Sequence, residues 1–344
     1  MRRRRIALIG LGMAVTPHAN SLIDLADRAE VTHAISPSLE RREAFASRFA
    51  FALGDSLEPV LSDASVDVAA VLTPPNTHLE IATRLARAGK HILLEKPLEV
   101  STERAEKLVE ACRDAGVSLG VVLQHRFKPA AERLTAIVTS GGLGQIVNCS
   151  TSIRLWRPQA YYDEPGRGTL ARDGGGVLLT QGIHTLDLML SLTGPVLEVC
   201  GYAATSAVHR MEAEDLVCAA VRFASGAVGV IDATTAAYPG GPERIELIGT
   251  LGTASLAGTA LCVKYQDGRS EELAADASAG GTGADPMAFP HHYHLGVWRD
   301  FLDALQQRRP PRVSGREALK VHRLIDALIA AAASDRKLGL GGQR

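Results

Sequence analysis

From Arg5 to Leu123 the chain alternates short apolar strands with amphipathic helices, and this alternation narrows the possible folds more than any other feature. The strand candidates are Arg5–Ile9, Val31–Ser36, Val68–Leu72, His91–Leu94 and Ser118–Leu123. They are rich in Val, Ile and Leu without polar alternation, as expected of strands covered on both faces. Pro17–Arg28, Leu39–Phe49, Thr77–Ala88 and Thr102–Ala115 carry helical periodicity between them. Ser101 stands at an N-cap position, and Gly89 and Gly116 stand just past two helix ends. Repeated strand–helix units imply a parallel sheet with right-handed crossovers.

After Gln124 the grammar changes. One helix, about Pro129–Thr139, leads to a long strand, Gln145–Trp156, and then to an irregular stretch, Arg157–Asp173. Leu197–Thr205, Leu216–Phe223, Ala227–Thr235, Arg244–Ile248, Thr253–Leu256 and Ala260–Tyr265 read as successive strands. Their short connections favour antiparallel pairing. A loop is expected over 274–290, helices at about Tyr293–Gln307 and Arg316–Ala333, and a frayed tail at Gly339–Arg344. The expected organisation is an α/β Rossmann domain, residues 1–124, followed by an α+β domain with an open, mostly antiparallel sheet, residues 125–344.

A chain of 344 residues accommodates about two domains of roughly 150 residues. With 37 Lys and Arg against 38 Asp and Glu, no global field recruits nucleic acid. The five cysteines are scattered with no Cys-x-x-Cys pair, so no metal centre is expected and the thiols suit a reducing cytoplasm. Arg2–Arg5 followed by Ile6–Val15 has the charge pattern of an export signal, but Gly10 and Gly12 at motif spacing favour a nucleotide-binding turn. No apolar run approaches the ~20 residues of a membrane span.

Gly10-Leu11-Gly12-Met13-Ala14 sits at the first strand–helix junction, where glycines let backbone N–H groups approach a pyrophosphate. Val15 stands where the motif has its third glycine. At the end of the second strand, Ser36, Ser38, Arg41 and Arg42 replace the acid that would hold an adenosine ribose and repel a 2′-phosphate. This tilts the cofactor from NAD(H) towards NADP(H). Thr73-Pro74-Pro75-Asn76 forms a rigid turn in which Asn76 is placed to cap the next helix. Glu95-Lys96-Pro97 ends the fourth strand, at the edge where ligands bind in open α/β sheets. Gly174–Asp187 reads as a glycine-led apolar helix with Thr180, His184 and Asp187 on or near one face. Its histidine suits either proton transfer or a hydrogen-bonded place in the core. His291-His292-Tyr293-His294 looks like a metal tract, but no second cluster with ligand spacing accompanies it. Helix entry or substrate contact is expected there.

The Gly10-x-Gly12 turn with His18 downstream, Thr73-Pro74-Pro75-Asn76-x-His78, Ala88-Gly89-Lys90-His91-x-Leu93-x-Glu95-Lys96-Pro97, and Gly174–Gly176 leading to Gly182-x-His184-x-x-Asp187 resemble the glucose–fructose oxidoreductase / inositol dehydrogenase / MocA family. The likeness runs to Asp300-Phe301-Leu302-x-Ala304. It implies a nicotinamide-dependent oxidoreductase acting on a sugar, cyclitol or sugar derivative, with Lys96 near the reacting oxygen and His184 as acid/base. It implies cofactor contacts from Gly10, Leu11, Gly12, Met13, Ala14, Ser36, Arg41, Thr73, Pro74, Asn76, His78, Glu95, Lys96 and Arg126. Substrate contacts are expected from Lys96, His125, Arg157, Tyr161, Thr180 and His184, and a homodimer or homotetramer through the second sheet. Many family dehydrogenases place Asp four residues before the histidine; here that residue is Thr180. A cofactor-retaining glycosidase and a metabolite sensor are the competing readings.

Overall fold

Arg4–Ile9 forms β1 and continues into Gly10, whose φ of +101° turns the chain sharply into helix α1, Val15–Asp24. A Cβ at Gly10 would lie 2.8 Å from the carbonyl carbon and oxygen of Leu72, so only glycine fits this crossing of backbones. The computed structural model describes residues 2–276, 290–334 and 336–340.

The chain then continues through β2 (Ala29–Ile35), α2 (Leu39–Ala46), β3 (Leu53–Gly54), α3 (Glu58–Ser62), β4 (Val68–Val71), α4 (His78–Arg87), β5 (His91–Leu94), α5 (Thr102–Asp114) and β6 (Leu119–Val121). The six strands are parallel, in the order β3-β2-β1-β4-β5-β6. That is the doubly wound order, with its switch point between β1 and β4, where ligands bind at the carboxyl edge. Val68–Val71 and Ile92–Leu94 are fully buried, which explains their unbroken apolar sequence. Ser101 caps α5 by accepting from the Arg104 N–H at 3.3 Å, and Gly89 and Gly116 follow their helices with positive φ. Sequence reasoning did not foresee β3 and α3, which are too short to show periodicity.

Beyond Gln124, α6 (Pro129–Thr139) precedes β7 (Ile146–Arg154) and the short helices α7 (Gln159–Tyr162) and α8 (Leu170–Asp173). Leu178–Gly182 forms one π-helical turn and passes into α9, Ile183–Thr193. The remaining elements are β8 (Val196–Ala204), β9 (Leu216–Phe223), β10 (Val228–Thr234), β11 (Arg244–Gly249), β12 (Gly252–Ala257), β13 (Ala260–Tyr265), β14 (Ser270–Leu273), α10 (His292–Gln307), α11 (Gly315–Ser334) and β15 (Leu338–Gly339). The second sheet runs β14-β13-β12-β11-β7-β10-β9-β8-β15, antiparallel except for the β7–β10 pair. Gly339, expected to begin a frayed tail, instead pairs with Glu198, next to the Leu338–Val199 pair. The rest of that tail beyond Leu340, and most of the expected 274–290 loop, lie outside the described residues.

Two compact units divide the chain. One comprises the described residues to Gln124 together with Pro290–Leu319; the other holds the rest. In the first unit α10 packs on α1, and Arg28, in the turn after α1, donates to Asp303 of α10 at 2.6 Å. In the second unit the apolar side of β7 and β9 faces inward, and α9 packs on β7.

Candidate active site

The carboxyl edge of the first sheet carries the nucleotide-binding motifs. Helix α1 has no side-chain cap at Ala14 and no acid in its first turn, so its N–H groups and the positive end of its dipole face the turn Gly10–Ala14. A Cβ on Gly12 would meet no protein atom within 4 Å. The protein itself does not require a glycine there, and the open space is the clearance that a pyrophosphate needs. These features fit a nicotinamide dinucleotide.

At the end of β2, Ser36 is buried, and its carbonyl accepts from Arg42 Nη1 at 2.6 Å. Arg42 is thereby committed to the backbone, while Arg41 is exposed. Ser38 caps α2 through the Arg41 N–H. Asn76 does not cap α4: the two prolines carry the chain through a 3₁₀ turn, Pro75–Thr77, and the helix begins one residue later. His78, expected at the cofactor, is wholly buried, with Nε2 2.8 Å from the Thr73 carbonyl and Nδ1 3.1 Å from that of Pro97. It ties the proline turn to the segment after β5. Burial pushes its pKa down despite these carbonyls.

Glu95, also expected at the cofactor, is buried and turned inward. Its Oε1 lies 2.9 Å from His18 Nε2, and its Oε2 accepts from the Lys96 backbone N–H at 3.0 Å. Burial alone would raise its pKa; the His18 hydrogen bond and the nearby Lys96 ammonium overcome this and hold it below the usual value. Lys96 is half-buried at this edge.

In the second unit the glycine run has a specific cause. A Cβ on Gly176 would lie 1.7 Å from the Glu214 carbonyl oxygen, so the chain can pass there only as glycine. The Glu214 carboxylate accepts from the N–H groups of Gly176 and Leu178 and so closes the start of the π turn; its burial raises its pKa. The expected single α-helix is therefore a π turn followed by an α-helix, which changes the angular step between Thr180 and His184. The Thr180 hydroxyl sits against the Gly176 carbonyl at 2.7 Å and against the Gln181 side chain.

His184 is 9% exposed, and its ring lies 4.9 Å from that of His125. His125 Nδ1 is 3.4 Å from Thr185 Oγ1, and its Nε2 is 3.7 Å from Glu243. Arg126 donates to buried Asp187 through Nε at 2.7 Å and Nη2 at 2.6 Å, which anchors α9 below His184. The Tyr161 hydroxyl accepts from Arg167 Nη1 at 2.8 Å, and the Arg157 guanidinium lies 5.7 Å from the Tyr161 ring. The structure thus gathers His125, Arg126, Thr185 and His184 in one place, and Tyr161, Thr180 and Gln181 in another nearby in sequence. Lys96 belongs to the first unit and His184 to the second.

The family model of oxidoreductases with an NAD-binding Rossmann fold matches residues 4–123, and the GFO/IDH/MocA C-terminal domain matches 131–255. The chain belongs to the GFO/IDH/MocA family. It is 28% identical to myo-inositol 2-dehydrogenase of Thermotoga maritima over 72% of this chain and 73% of that one. It is 25% identical to inositol 2-dehydrogenase of Rhizobium meliloti over 98% and 99%. The WlbA dehydrogenase of Bordetella pertussis, solved with NADH and UDP-GlcNAcA, superposes with a TM-score of 0.85 at 29% identity, covering 99% of this chain and 100% of that one.

Within this family frame, three groups escaped sequence reasoning. Glu214 gave no motif signal. The Arg126–Asp187 fork was within reach, since both residues stood in motifs, but nothing in the sequence paired them. His294 had no partner at ligand spacing, yet folding brings it to His18 and Glu95, with ligand atoms all within 4.8 Å. His291 and His292 open α10 as expected.

Proposed function

We propose that this chain is a nicotinamide-dependent dehydrogenase that moves a hydride between its cofactor and a hydroxyl- or keto-bearing carbon of a sugar, cyclitol or sugar derivative. One observation carries the reading: a Rossmann domain with an open cradle at Gly12 and Lys96 at the carboxyl edge stands in one chain with a family C-terminal domain bearing His184. The nicotinamide, when bound, supplies or accepts the hydride. The protein must then manage a proton and a developing charge on oxygen. His184 takes the hydroxyl proton on oxidation and returns it on reduction. The Lys96 ammonium stabilises the oxygen as negative charge grows. Thr180 adds a hydrogen-bonding group without charge, so no carboxylate at that position assists His184. His125, Arg157 and Tyr161 serve the sugar, and Arg126 serves the cofactor.

The absence of an acid at the end of β2, where Ser36 stands, with Arg41 exposed on the helix that follows, supports NADP(H) over NAD(H). The outer face of the second sheet supports association as a homodimer or homotetramer. Tyr202 is 75% exposed there, and Val228, Val230 and Ile248 are also exposed on strands whose alternate residues are buried. No described helix is long and apolar enough to cross a membrane. A cytoplasmic setting suits the scattered free cysteines.

The test is a panel of polyols, aldoses, ketosugars and cyclitols assayed at the nicotinamide absorbance band. Turnover should appear with at least one, and Lys96→Ala and His184→Ala should each lower kcat by about 10²-fold or more. Full turnover in both variants rejects the assignment. Sugar release without net absorbance change would point to a glycosidase, and tight metabolite binding without turnover to a sensor.

A further inference from the structure

Behind Lys96 the first unit holds a buried chain of polar groups drawn from three distant parts of the sequence. Trp298, on α10, donates its indole N–H to His18 Nδ1 at 3.0 Å. His18, on α1, faces Glu95 Oε1 with Nε2 at 2.9 Å, and Glu95 Oε2 accepts from the Lys96 N–H. Trp298 and His18 are both fully buried.

An indole nitrogen can only donate. His18 Nδ1 must therefore present a lone pair, which leaves the ring's single proton on Nε2, pointing at Glu95. An imidazolium would set one N–H against another at 3.0 Å in a buried site, where an unmade hydrogen bond is costly. A neutral ring of this tautomer donates to a carboxylate and adds no positive charge to compete with Lys96. The same logic bears on His18, Glu95 and His294 as metal ligands. A metal would need the Nε2 lone pair, moving the proton to Nδ1 and against the indole.

We propose that Trp298 and His18 are positioning residues for Lys96: the indole fixes the His18 tautomer, and His18 fixes the Glu95 carboxylate that holds the Lys96 segment and balances its charge. The proposal rests on the reading of Lys96 as the group at the reacting oxygen. The other titratable groups facing this chain are His294, on α10, and His291, at its N-cap. His294 Nε2 is 3.9 Å from Glu95 Oε1; burial holds its pKa down to about 3, so it stays neutral. His291 Nε2 pairs with Asp24 at 2.7 Å.

The experiment uses the full chain with cofactor bound. Ring ¹⁵N shifts of labelled histidines should show His18 as the Nε2–H tautomer. Trp298→Phe keeps an aromatic ring and removes the donor. The ¹⁵N shifts of that variant should show His18 populating the Nδ1–H tautomer as well, and kcat should fall with the KM for cofactor unchanged. His18→Leu should lower kcat about tenfold or more, and His18→Gln, which restores a neutral N–H, should recover part of that loss. Wild-type His18 found as an imidazolium or as the Nδ1–H tautomer overturns the proposal. So does a Trp298→Phe variant whose His18 ring shifts superpose on wild type. Undiminished turnover in Lys96→Ala would instead overturn the reading of Lys96, with the tautomer result left standing.

Discussion

Asp187 holds Arg126 in a two-point fork three residues after His184, and only 1% of Asp187 is exposed. Two parallel N–H···O bonds fix both position and angle, which a single contact does not. The helix carrying the proposed acid/base is thereby tied to the segment that follows the Rossmann strands.

Breaking the fork should be costly. Asp187→Asn leaves the guanidinium facing a neutral amide in a buried place, and a loss of about 3–5 kcal/mol is expected. Urea unfolding of the two proteins measures it. A difference below about 1 kcal/mol would mean that the fork behaves like a solvated surface pair.

The two glycines of the first turn should respond in opposite ways. Gly10→Ala forces a side chain into positive φ and onto the Leu72 backbone, so the cofactor-free protein should lose at least about 1–2 kcal/mol. Gly12→Ala meets no protein atom, so thermal unfolding without cofactor should hardly move while dinucleotide affinity falls. Equal effects on unfolding would contradict the cradle.

Arg41→Ala probes the choice of cofactor. Affinity for NADP(H) should fall about tenfold while affinity for NAD(H) stays within about twofold, since only the former carries a 2′-phosphate. Binding titrations of both cofactors to both proteins decide it. A wild-type chain that binds NAD(H) ten times better would overturn the reading of Ser36 and Arg41.

Glu99 predicts an acid sensitivity. Burial alone would raise its pKa, but Arg104 and the N–H groups of Val100 and Leu79 overcome this and hold it below its ordinary 4.5. A carboxyl depressed on folding contributes stability above its unfolded pKa, and that stability is lost as pH falls through the folded value. Urea midpoints should therefore drop from about pH 5 to pH 3, and Glu99→Gln should flatten this slope. An unchanged slope would show that the Arg104 contact adds nothing.

Much of the molecule was legible before folding. Unbroken Val, Ile and Leu runs announced strands covered on both faces, and Ser101, Gly89 and Gly116 marked helix ends because their reasons are local. Asn76 misled because capping depends on where the helix starts, and two prolines moved that start by a residue. The π turn was hidden because its cause is Glu214, 32 residues or more along the chain from the segment it closes, through hydrogen bonds to Gly176 and Leu178.

The sequence by itself determined the parallel sheet, the open second sheet and the motifs, since period, glycine placement and propensity act within a few residues. The tertiary structure alone decided that Trp298 meets His18, that His18 meets Glu95, and that His78 and Glu95 face inward. Those contacts join residues 280 and 77 positions apart for the first two pairs. Only packing can set a tautomer or bury a carboxylate, because each depends on which donors the folded chain delivers to one buried point.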